Sequence, residues 1–303
     1  MLCNNFFSYE VPSIFARLPH KFLPYVQLSR PYHFAGGVVP CLMGFHFASI
    51  QYDIWKWYAL FIVGAFLILG AGATINDILD HTIDKQYYRS MTRPIPSGRV
   101  PLPSAVVYLL LQLCGAFLVW LYIPNMVKIM TFAELIAICI YPLMKRFMYF
   151  AQVYLGIIAG APCVFSYYLF EGHISLAIIL LWLALAIHCI IFDTFFEYSE
   201  YFHNQNMQAK SIACLIGKYP KKFFYISSIL CLICLCLAGY FAHKTFLFYL
   251  VSAGTIGFIM YKIKCANFQN QEKCLQNFLA IQMAGIPILL GIIVSSYVTI
   301  PFD

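Results

Sequence analysis

The sequence predicts an all-α, polytopic membrane protein, and three observations support this fold class. First, 62% of its 303 residues are hydrophobic and only 10% are charged, whereas a soluble domain carries about 45–50% apolar and about 25% charged residues. Second, nine apolar segments each approach the length of about 20 residues that a membrane-spanning helix needs. Third, Lys and Arg are concentrated on alternate connections between these segments. Because no linker-like stretch interrupts the chain, we expect a single membrane-embedded domain over residues 1–303.

The nine predicted spans are dominated by Leu, Ile, Phe and Val. Gly and Pro interrupt several of them, which membrane helices tolerate because neighbouring groups satisfy the freed backbone. In chain order the predicted spans are His33–Gln51, Trp55–Thr74, Ser104–Ile123, Met126–Leu143, Tyr149–Phe170, Ile174–Ile191, Phe223–Ala242, Thr245–Tyr261 and Phe278–Val298.

The distribution of basic residues predicts the orientation of these spans. Of the 19 Lys and Arg residues, 16 fall on one side and only Lys56, Lys128 and Lys244 fall on the other. Loops rich in Lys and Arg face the cytoplasm, so the long loops and any active site are expected there. A net charge of +7 would suggest nucleic acid as the partner of a soluble protein, but here it reflects membrane topology and predicts no nucleic-acid partner.

Residues 1–30 are expected to form an N-terminal interfacial segment. They contain no compact apolar stretch followed by a small-residue cleavage site, so no cleaved secretory signal is expected. The absence of a presequence favours a bacterial inner (cytoplasmic) membrane, with the mitochondrial inner membrane as the alternative. The twelve cysteines are scattered singly, mostly in apolar spans, where free Cys behaves as a small buried hydrophobe.

An acidic segment directly follows the second predicted span. Asn76, Asp80 and Asp84 are spaced at i, i+4 and i+8, and Asp77 lies among them, so in a helix these side chains share one face. Carboxylates near lipid are costly, and they repel one another. Mg²⁺ removes both penalties, because it binds oxygen ligands, usually one or two carboxylates together with substrate phosphates. The segment predicts a magnesium site, with a solvated interfacial loop as the alternative.

The same connection continues with Arg89, Arg93 and Arg99. Arginine presents a planar fork of donors that suits phosphate oxygens. A diphosphate is bound by a metal ion and by basic side chains. The carboxylates would hold the metal ion, and the arginines would contact the phosphate oxygens. Anchoring by lipid headgroups is the alternative for these arginines, and it fits Arg99 better than Arg89 or Arg93.

A second acidic segment follows the sixth predicted span. Asp193, Glu197, Glu200 and Asn204 lie at i, i+4, i+7 and i+11, again on one helical face, and Lys210 follows. The two acidic segments indicate a weak internal duplication, in which two clusters facing one cavity could hold two magnesium ions on one diphosphate. A further basic pair, Lys145-Arg146, closes the fourth span and on its own indicates ordinary anchoring at the cytoplasmic face.

At these residues the chain resembles the UbiA superfamily of intramembrane prenyltransferases, and within it the branch that prenylates 4-hydroxybenzoate in ubiquinone biosynthesis. The resemblance covers roughly residues 25–300. It rests on three motifs, which read Asn76-Asp77-x-x-Asp80-x-x-x-Asp84 with Arg89 and Arg93-Pro94-Ile95-x-Ser97-Gly98, then Tyr141-Pro142-Leu143-Met144-Lys145-Arg146 with Tyr149 and Gln152, and finally Asp193-Thr194 with Lys210-Ser211 and Gly217.

The resemblance implies nine helices around a central cavity open to lipid. It also implies Mg²⁺-dependent transfer of a polyprenyl group from polyprenyl diphosphate to an aromatic acid acceptor. One magnesium ion is expected on the first motif, with Asp77 in a supporting role, and a second on Asp193 and Glu200, with Asn204 as the weakest ligand. The expected metal ligands are therefore Asn76, Asp77, Asp80, Asp84, Asp193, Glu200 and Asn204.

Basic residues complete the site that we expect from this resemblance. The acceptor carboxylate is expected to pair with Arg146, with Arg30 in reserve, and Tyr141 is expected to contact the acceptor. The residues expected to neutralise the diphosphate are Arg89, Arg93, Lys145 and Lys210. The residues expected to be catalytic are Asp80, Asp84, Asp193 and Arg146.

Departures from the family pattern keep other functions open. The second motif normally carries aspartates where this chain has Glu200, His203 and Asn204, and Gln27 stands where a basic residue often occurs. An impaired lipid-binding homologue is one alternative, and a UbiA-type enzyme of the haem or another quinone pathway is a second. A membrane transporter is the third, although Glu134 is the only acid inside a predicted span, whereas transporters place charges near the midplane of several helices.

Overall fold

The computed structural model describes residues 18–31, 34–49, 53–85, 90–201, 210–217 and 219–297, without the side chains of residues 83, 145, 146, 200 and 201. Its regular elements are all helices over this part of the chain. They are α1 (Leu23–Leu28), α2 (Phe34–Phe47), α3 (Ile54–Asp84), α4 (Leu102–Leu121), α5 (Asn125–Phe147), α6 (Ala151–Glu171), α7 (Leu176–Tyr201), α8 (Ile212–Ile216), α9 (Pro220–Phe241), α10 (Phe246–Cys265), α11 (Gln271–Met283) and α12 (Gly285–Tyr297), with a 3₁₀ turn at Ser90–Thr92.

The chain forms two compact units. The first comprises residues 1–38 and 55–128, and the second residues 39–54 and 129–303. The expectation of a single domain over the whole chain stays a prediction.

In the first unit, α3 and α4 pack closely because glycines leave room for side chains of the opposite helix. A Cβ at Gly70 would lie 2.7 Å from Nε2 of Gln112, and one at Gly115 would lie 3.1 Å from Leu67. A small buried core of Leu28, Ile95, Val100 and Ala105 joins α1 to the loop before α4. This packing brings α1 and that loop to the C-terminal end of α3.

In the second unit, α7 is the central helix and contacts α6, α9 and α11. Ile178, Leu181 and Ile191 on it are fully buried. Close helix approaches again depend on glycine, because a Cβ at Gly44 of α2 would lie only 1.8 Å from the carbonyl oxygen of Cys163. The buried face of α7 therefore forms the core that supports the second acidic segment.

Large apolar side chains cover the outer surface of α4 and α5. Val107, Leu111, Leu118, Ile129 and Phe132 are all more than half exposed. Over the described residues, eight helical segments are long and apolar enough to cross a membrane, and α2 is a shorter apolar helix. The exposed apolar faces are suited to lipid, and the chain is a multi-pass, all-α membrane protein, as predicted.

Each predicted span corresponds to a helix or a helix pair, but several boundaries differ. Helix α3 continues ten residues past the predicted end at Thr74, and α7 continues ten past Ile191. The ninth predicted span is two helices, because Pro287 near the start of α12 has no N–H to donate and its ring would clash with the carbonyl of Met283. The predicted count of nine is not confirmed, since α2 has only 14 residues.

Candidate active site

The first acidic motif lies on the last turns of α3, which continues without a break to Asp84. Its four polar side chains are therefore helical and lie on neighbouring positions of one side. Asn76, Asp77 and Asp84 are buried, with Asp77 only 1% exposed, and Asp80 is partly exposed. Buried carboxylates need compensating charge or hydrogen bonds.

Two arginines supply that charge. Arg30 Nη2 donates to Asp77 Oδ1 in a close ion pair. Arg93 Nη1 donates to Asp84 Oδ2 at 2.8 Å and lies 3.5 Å from Asp77 Oδ1. Both guanidinium groups are largely buried, so the pairs are only weakly screened by solvent. Arg30 and Asp77, which are 47 residues apart in sequence, thus meet at the end of α3.

The environment of Asp84 opposes its ionisation. Burial raises the pKa of the Asp84 carboxyl above its usual value, and the neighbouring Asp77 and Asp80 raise it further, while the guanidinium groups of Arg93 and Arg30 lower it. The ionised form of Asp84 therefore depends on the positive charge that Arg93 and Arg30 supply.

The loop between α3 and α4 holds Arg93 in position. Ser90 Oγ donates to the carbonyl oxygen of Asp84 at 2.9 Å and so ties the loop to the end of α3. The backbone N–H of Arg93 donates to Ser90 O, and that of Ser97 donates to Arg93 O. Gly98 completes the turn with φ of +76°, a conformation that favours glycine. Arg99 donates to Gln27 Oε1 at 2.7 Å and to the carbonyl of Thr92.

A buried polar network holds the segment that carries Arg30. Gln112 Nε2 donates to Ser29 Oγ at 3.0 Å, and Ser29 Oγ also lies 2.6 Å from the Tyr108 hydroxyl. Thr74 Oγ1 lies 3.1 Å from Gln112 Oε1. The sequence analysis did not find this network, although Gln112, a lone amide in an apolar span, is the signal that indicates it.

The second acidic motif lies on the last turns of α7. Asp193 is 9% exposed and Thr194 is fully buried, and the Thr194 hydroxyl donates to Ile190 O at 2.6 Å. Glu197 and Glu200 are also in the helix, as the spacing predicted. Asn204 and His203 lie outside the described residues, as does the side chain of Glu200.

Stacked aromatic rings fix this end of α7. Phe195 stacks on Phe224 at 4.3 Å between ring centroids and on Phe268 at 5.2 Å. Tyr198 meets Phe268 edge-to-face at 5.1 Å and donates from its hydroxyl to Gly217 O at 2.7 Å. The aromatic residues were too frequent in the sequence for this stack to be singled out.

The predicted basic residues are described only in part. Lys210 Nζ donates to Phe147 O at 3.3 Å and lies 5.7 Å from the Tyr149 ring centroid. Tyr141 stacks parallel to Tyr154 at 6.5 Å. Lys145 and Arg146 lie on the last turn of α5, but their side chains are outside the description, and Arg89 lies outside the described residues altogether.

The structure thus brings Asp77, Asp84, Arg30 and Arg93 together. Arg30, predicted as a reserve contact for the acceptor, pairs with Asp77. Among the described residues, no group of three or more His, Cys, Asp or Glu side chains is arranged to hold a metal ion by itself. Mg²⁺ usually needs only one or two protein carboxylates when a substrate phosphate and waters supply the other ligands, so the oxygen-rich donor set remains suitable.

The fold and this site define a class: a polytopic helical membrane protein with carboxylates and arginines at the end of helix α3. Residues 37–286 match the model of the UbiA prenyltransferase family. The chain therefore belongs to the UbiA prenyltransferase family, which confirms the resemblance drawn from its motifs.

Two curated relatives are about 30% identical to this chain over the aligned residues. It is 31% identical to the 4-hydroxybenzoate octaprenyltransferase of Blochmanniella floridana, over 78% of this chain and 84% of that protein. It is 29% identical to the mitochondrial 4-hydroxybenzoate polyprenyltransferase of Drosophila pseudoobscura pseudoobscura, over 78% of this chain but only 60% of that protein. The chain thus spans about three fifths of the length of the latter relative.

Solved structures share the fold at lower identity. A UbiA homolog from Aeropyrum pernix K1 superimposes with a TM-score of 0.75 at 19% identity, covering 86% of this chain and 97% of that one. A UbiA homolog from Archaeoglobus fulgidus bound to GPP and Mg²⁺ gives a TM-score of 0.67 at 16% identity, covering 89% and 99%.

Proposed function

We propose that this chain catalyses Mg²⁺-dependent transfer of a polyprenyl group from polyprenyl diphosphate to 4-hydroxybenzoate, a step of ubiquinone biosynthesis. The observation that carries the proposal is the end of α3, where buried carboxylates meet two arginines. The names of the curated relatives support the same substrates. The structure of a family member with GPP and Mg²⁺ supports the same ligand classes.

The residues present fit Mg²⁺, because the buried donors at the end of α3 are carboxylate and amide oxygens. Asn76, Asp80 and Asp84 would hold one ion, with Asp77 supporting, and Asp193 and Glu200 would hold another, with Asn204 as the weakest ligand. Bound Mg²⁺ would neutralise the diphosphate as negative charge grows on its bridging oxygen.

The basic residues act on the same leaving group. Arg89, Arg93, Lys145 and Lys210 donate to diphosphate oxygens, and their stabilisation grows as the bond between the prenyl carbon and the diphosphate oxygen breaks. The electron pair of that bond leaves with the diphosphate, and the prenyl group becomes an allylic cation. A ring carbon beside the phenol oxygen of the acceptor attacks this cation, a carbon–carbon bond forms, and the ring then loses a proton.

The acceptor is held by its carboxylate and its ring. Arg146 pairs with the carboxylate, and Tyr141 contacts the acceptor at the same end of α5. Another UbiA acceptor, from a haem or a different quinone pathway, is the alternative.

The test measures transfer of a radiolabelled prenyl group to 4-hydroxybenzoate by membranes that contain the protein, with and without Mg²⁺. The Asp80→Ala variant should insert normally and lose turnover by orders of magnitude. Glu272→Ala is the matched control, because Glu272 lies on the first turn of α11, outside both acidic motifs, and should stay near the parent. Normal transfer by Asp80→Ala would contradict the metal assignment, and no transfer by correctly inserted parent would point to another acceptor.

A further inference from the structure

We propose that Arg30 and Arg93 are exchangeable counter-ions. They neutralise Asp77 and Asp84 while the site is free of ligand, and they pass to the diphosphate when metal takes the carboxylates. Binding of the metal and of the prenyl diphosphate is therefore strongly synergistic. This inference rests on the proposed function, and it adds a role for Arg30 in the binding of the donor substrate.

Burial is the first step of the argument. The Asp77 side chain is 2% exposed and that of Asp84 is 10% exposed, so neither carboxylate can be satisfied by bulk water. An unpaired buried charge is strongly destabilising. In the ligand-free protein, the two arginines remove that penalty.

The charge balance is the second step. Asp77, Asp80 and Asp84 carry three negative charges, and Arg30 and Arg93 carry two positive ones, so this group has a net charge of about −1. A bare divalent cation would bring the group to about +1 and would lie beside two guanidinium groups that already occupy the carboxylates. We therefore expect bare metal to bind weakly.

A diphosphate changes this balance, because it offers oxygen acceptors to both arginines and to the metal. Each guanidinium can then leave its carboxylate without becoming an unpaired buried charge. The carboxylates that the guanidinium groups leave can then bind the metal ion. By linkage, the factor by which the diphosphate raises the affinity for metal equals the factor by which metal raises the affinity for the diphosphate.

The surroundings of Arg30 suit an exchange that involves only its side chain. Ser29, its neighbour, is held by Gln112 and Tyr108, so the backbone is fixed to α4. Arg30 itself adopts φ of +45°, which a non-glycine residue rarely does. The network holds the backbone and not the guanidinium, so the exchange requires rotation of the Arg30 side chain alone.

Arg30→Gln tests the exchange, with Arg99→Gln as its matched control. Arg99 lies in the same region, and the partners described for it above, Gln27 and the Thr92 carbonyl, are neutral. The affinity of purified protein for Mn²⁺, used in place of Mg²⁺, is measured by electron paramagnetic resonance. Each protein is measured alone and with the unreactive thiolo analogue of geranyl diphosphate.

For the parent, and for Arg99→Gln, the analogue should tighten Mn²⁺ binding by about tenfold or more. For Arg30→Gln, Mn²⁺ alone should bind about three- to tenfold more tightly than to the parent, because a competing cation is gone, and the effect of the analogue should shrink by a similar factor. Arg30→Lys restores the charge and should return weak binding of bare Mn²⁺. If Arg30→Gln does not fold, tighter binding of bare Mn²⁺ by Arg30→Lys than by the parent still contradicts the exchange.

Two results would contradict different parts of the account. If Arg30→Gln binds bare Mn²⁺ no more tightly than the parent, or if Arg30→Lys binds it more tightly, the exchange is wrong while the proposed function stands. If the folded parent binds Mn²⁺ neither alone nor with the analogue, the proposed function itself fails.

Discussion

The two acidic helix ends carry similar side chains, but different interactions hold them in place. At the end of α3, Asp77 and Asp84 are held by ion pairs with Arg30 and Arg93. At the end of α7, the helix is fixed by rings from three segments, Phe195 and Tyr198 against Phe224 and Phe268. Ion pairs can be exchanged for a charged ligand, whereas aromatic packing cannot, so we interpret the first region as adaptable and the second as a rigid support.

The largest expected difference between the regions is in turnover. Asp84→Ala should lower turnover by about 10²–10³-fold, because it removes a proposed metal ligand and the closer of the two carboxylates that pair with Arg93. Glu200→Ala should cost only about tenfold, since the second motif already departs from the family pattern. Turnover of purified protein in proteoliposomes measures both, and equal losses would remove the distinction between the two regions.

The polar network below the first motif should have a smaller effect. Gln112→Leu removes the amide that holds Ser29, and we expect the KM for prenyl diphosphate to rise about fivefold, the equivalent of about 1 kcal/mol for one buried hydrogen bond. The kcat should change little, because Gln112 acts through Arg30. Leu111→Gln, which places the same amide on the exposed face of α4, is the control and should leave KM unchanged. A fall in kcat with normal KM would argue against this positioning role.

A substitution that restores the family pattern tests the proposed second metal site. Asn204→Asp replaces the proposed neutral ligand with a carboxylate, so the Mg²⁺ concentration for half-maximal activity should fall about threefold. Asn267→Asp adds the same charge in another connection on the predicted cytoplasmic side and should have no such effect. If both variants behave alike, the result reflects general surface charge instead of a second metal site.

The smallest expected effect concerns Lys244, a half-buried charge outside both motifs. Lys244 donates to His46 O at 3.2 Å and to Ser296 Oγ at 3.1 Å, and burial lowers its pKa from 10.5 to about 8. Between these pH values the unfolded chain binds a proton that the folded protein does not, so Lys244 makes stability rise with pH in that window.

Lys244→Met should remove this contribution. The difference in unfolding temperature between parent and variant, followed by tryptophan fluorescence in detergent, should shift by a few degrees in favour of the parent between pH 8 and 10. A difference that is constant over this range would contradict the pKa argument.

The sequence predicted the fold class well, because each membrane helix carries its own apolar signal. It predicted less about the ends of helices, since α3 and α7 continue into polar residues whose helical state depends on partners elsewhere. The carboxylates of the first motif were visible from their spacing. Their pairing with Arg30 was not, because contacts between segments 47 residues apart leave no periodic pattern.

The most direct test of the account asks whether the first motif holds metal and diphosphate together. Phosphorus-31 electron–nuclear double resonance on Mn²⁺ bound with the thiolo analogue of geranyl diphosphate detects phosphate oxygens that ligate the ion. We predict a ³¹P coupling in the parent and its loss in Asp80→Ala, in a protein that still inserts and purifies. An unchanged coupling and affinity in Asp80→Ala would contradict the claim that the end of α3 is the metal–diphosphate site.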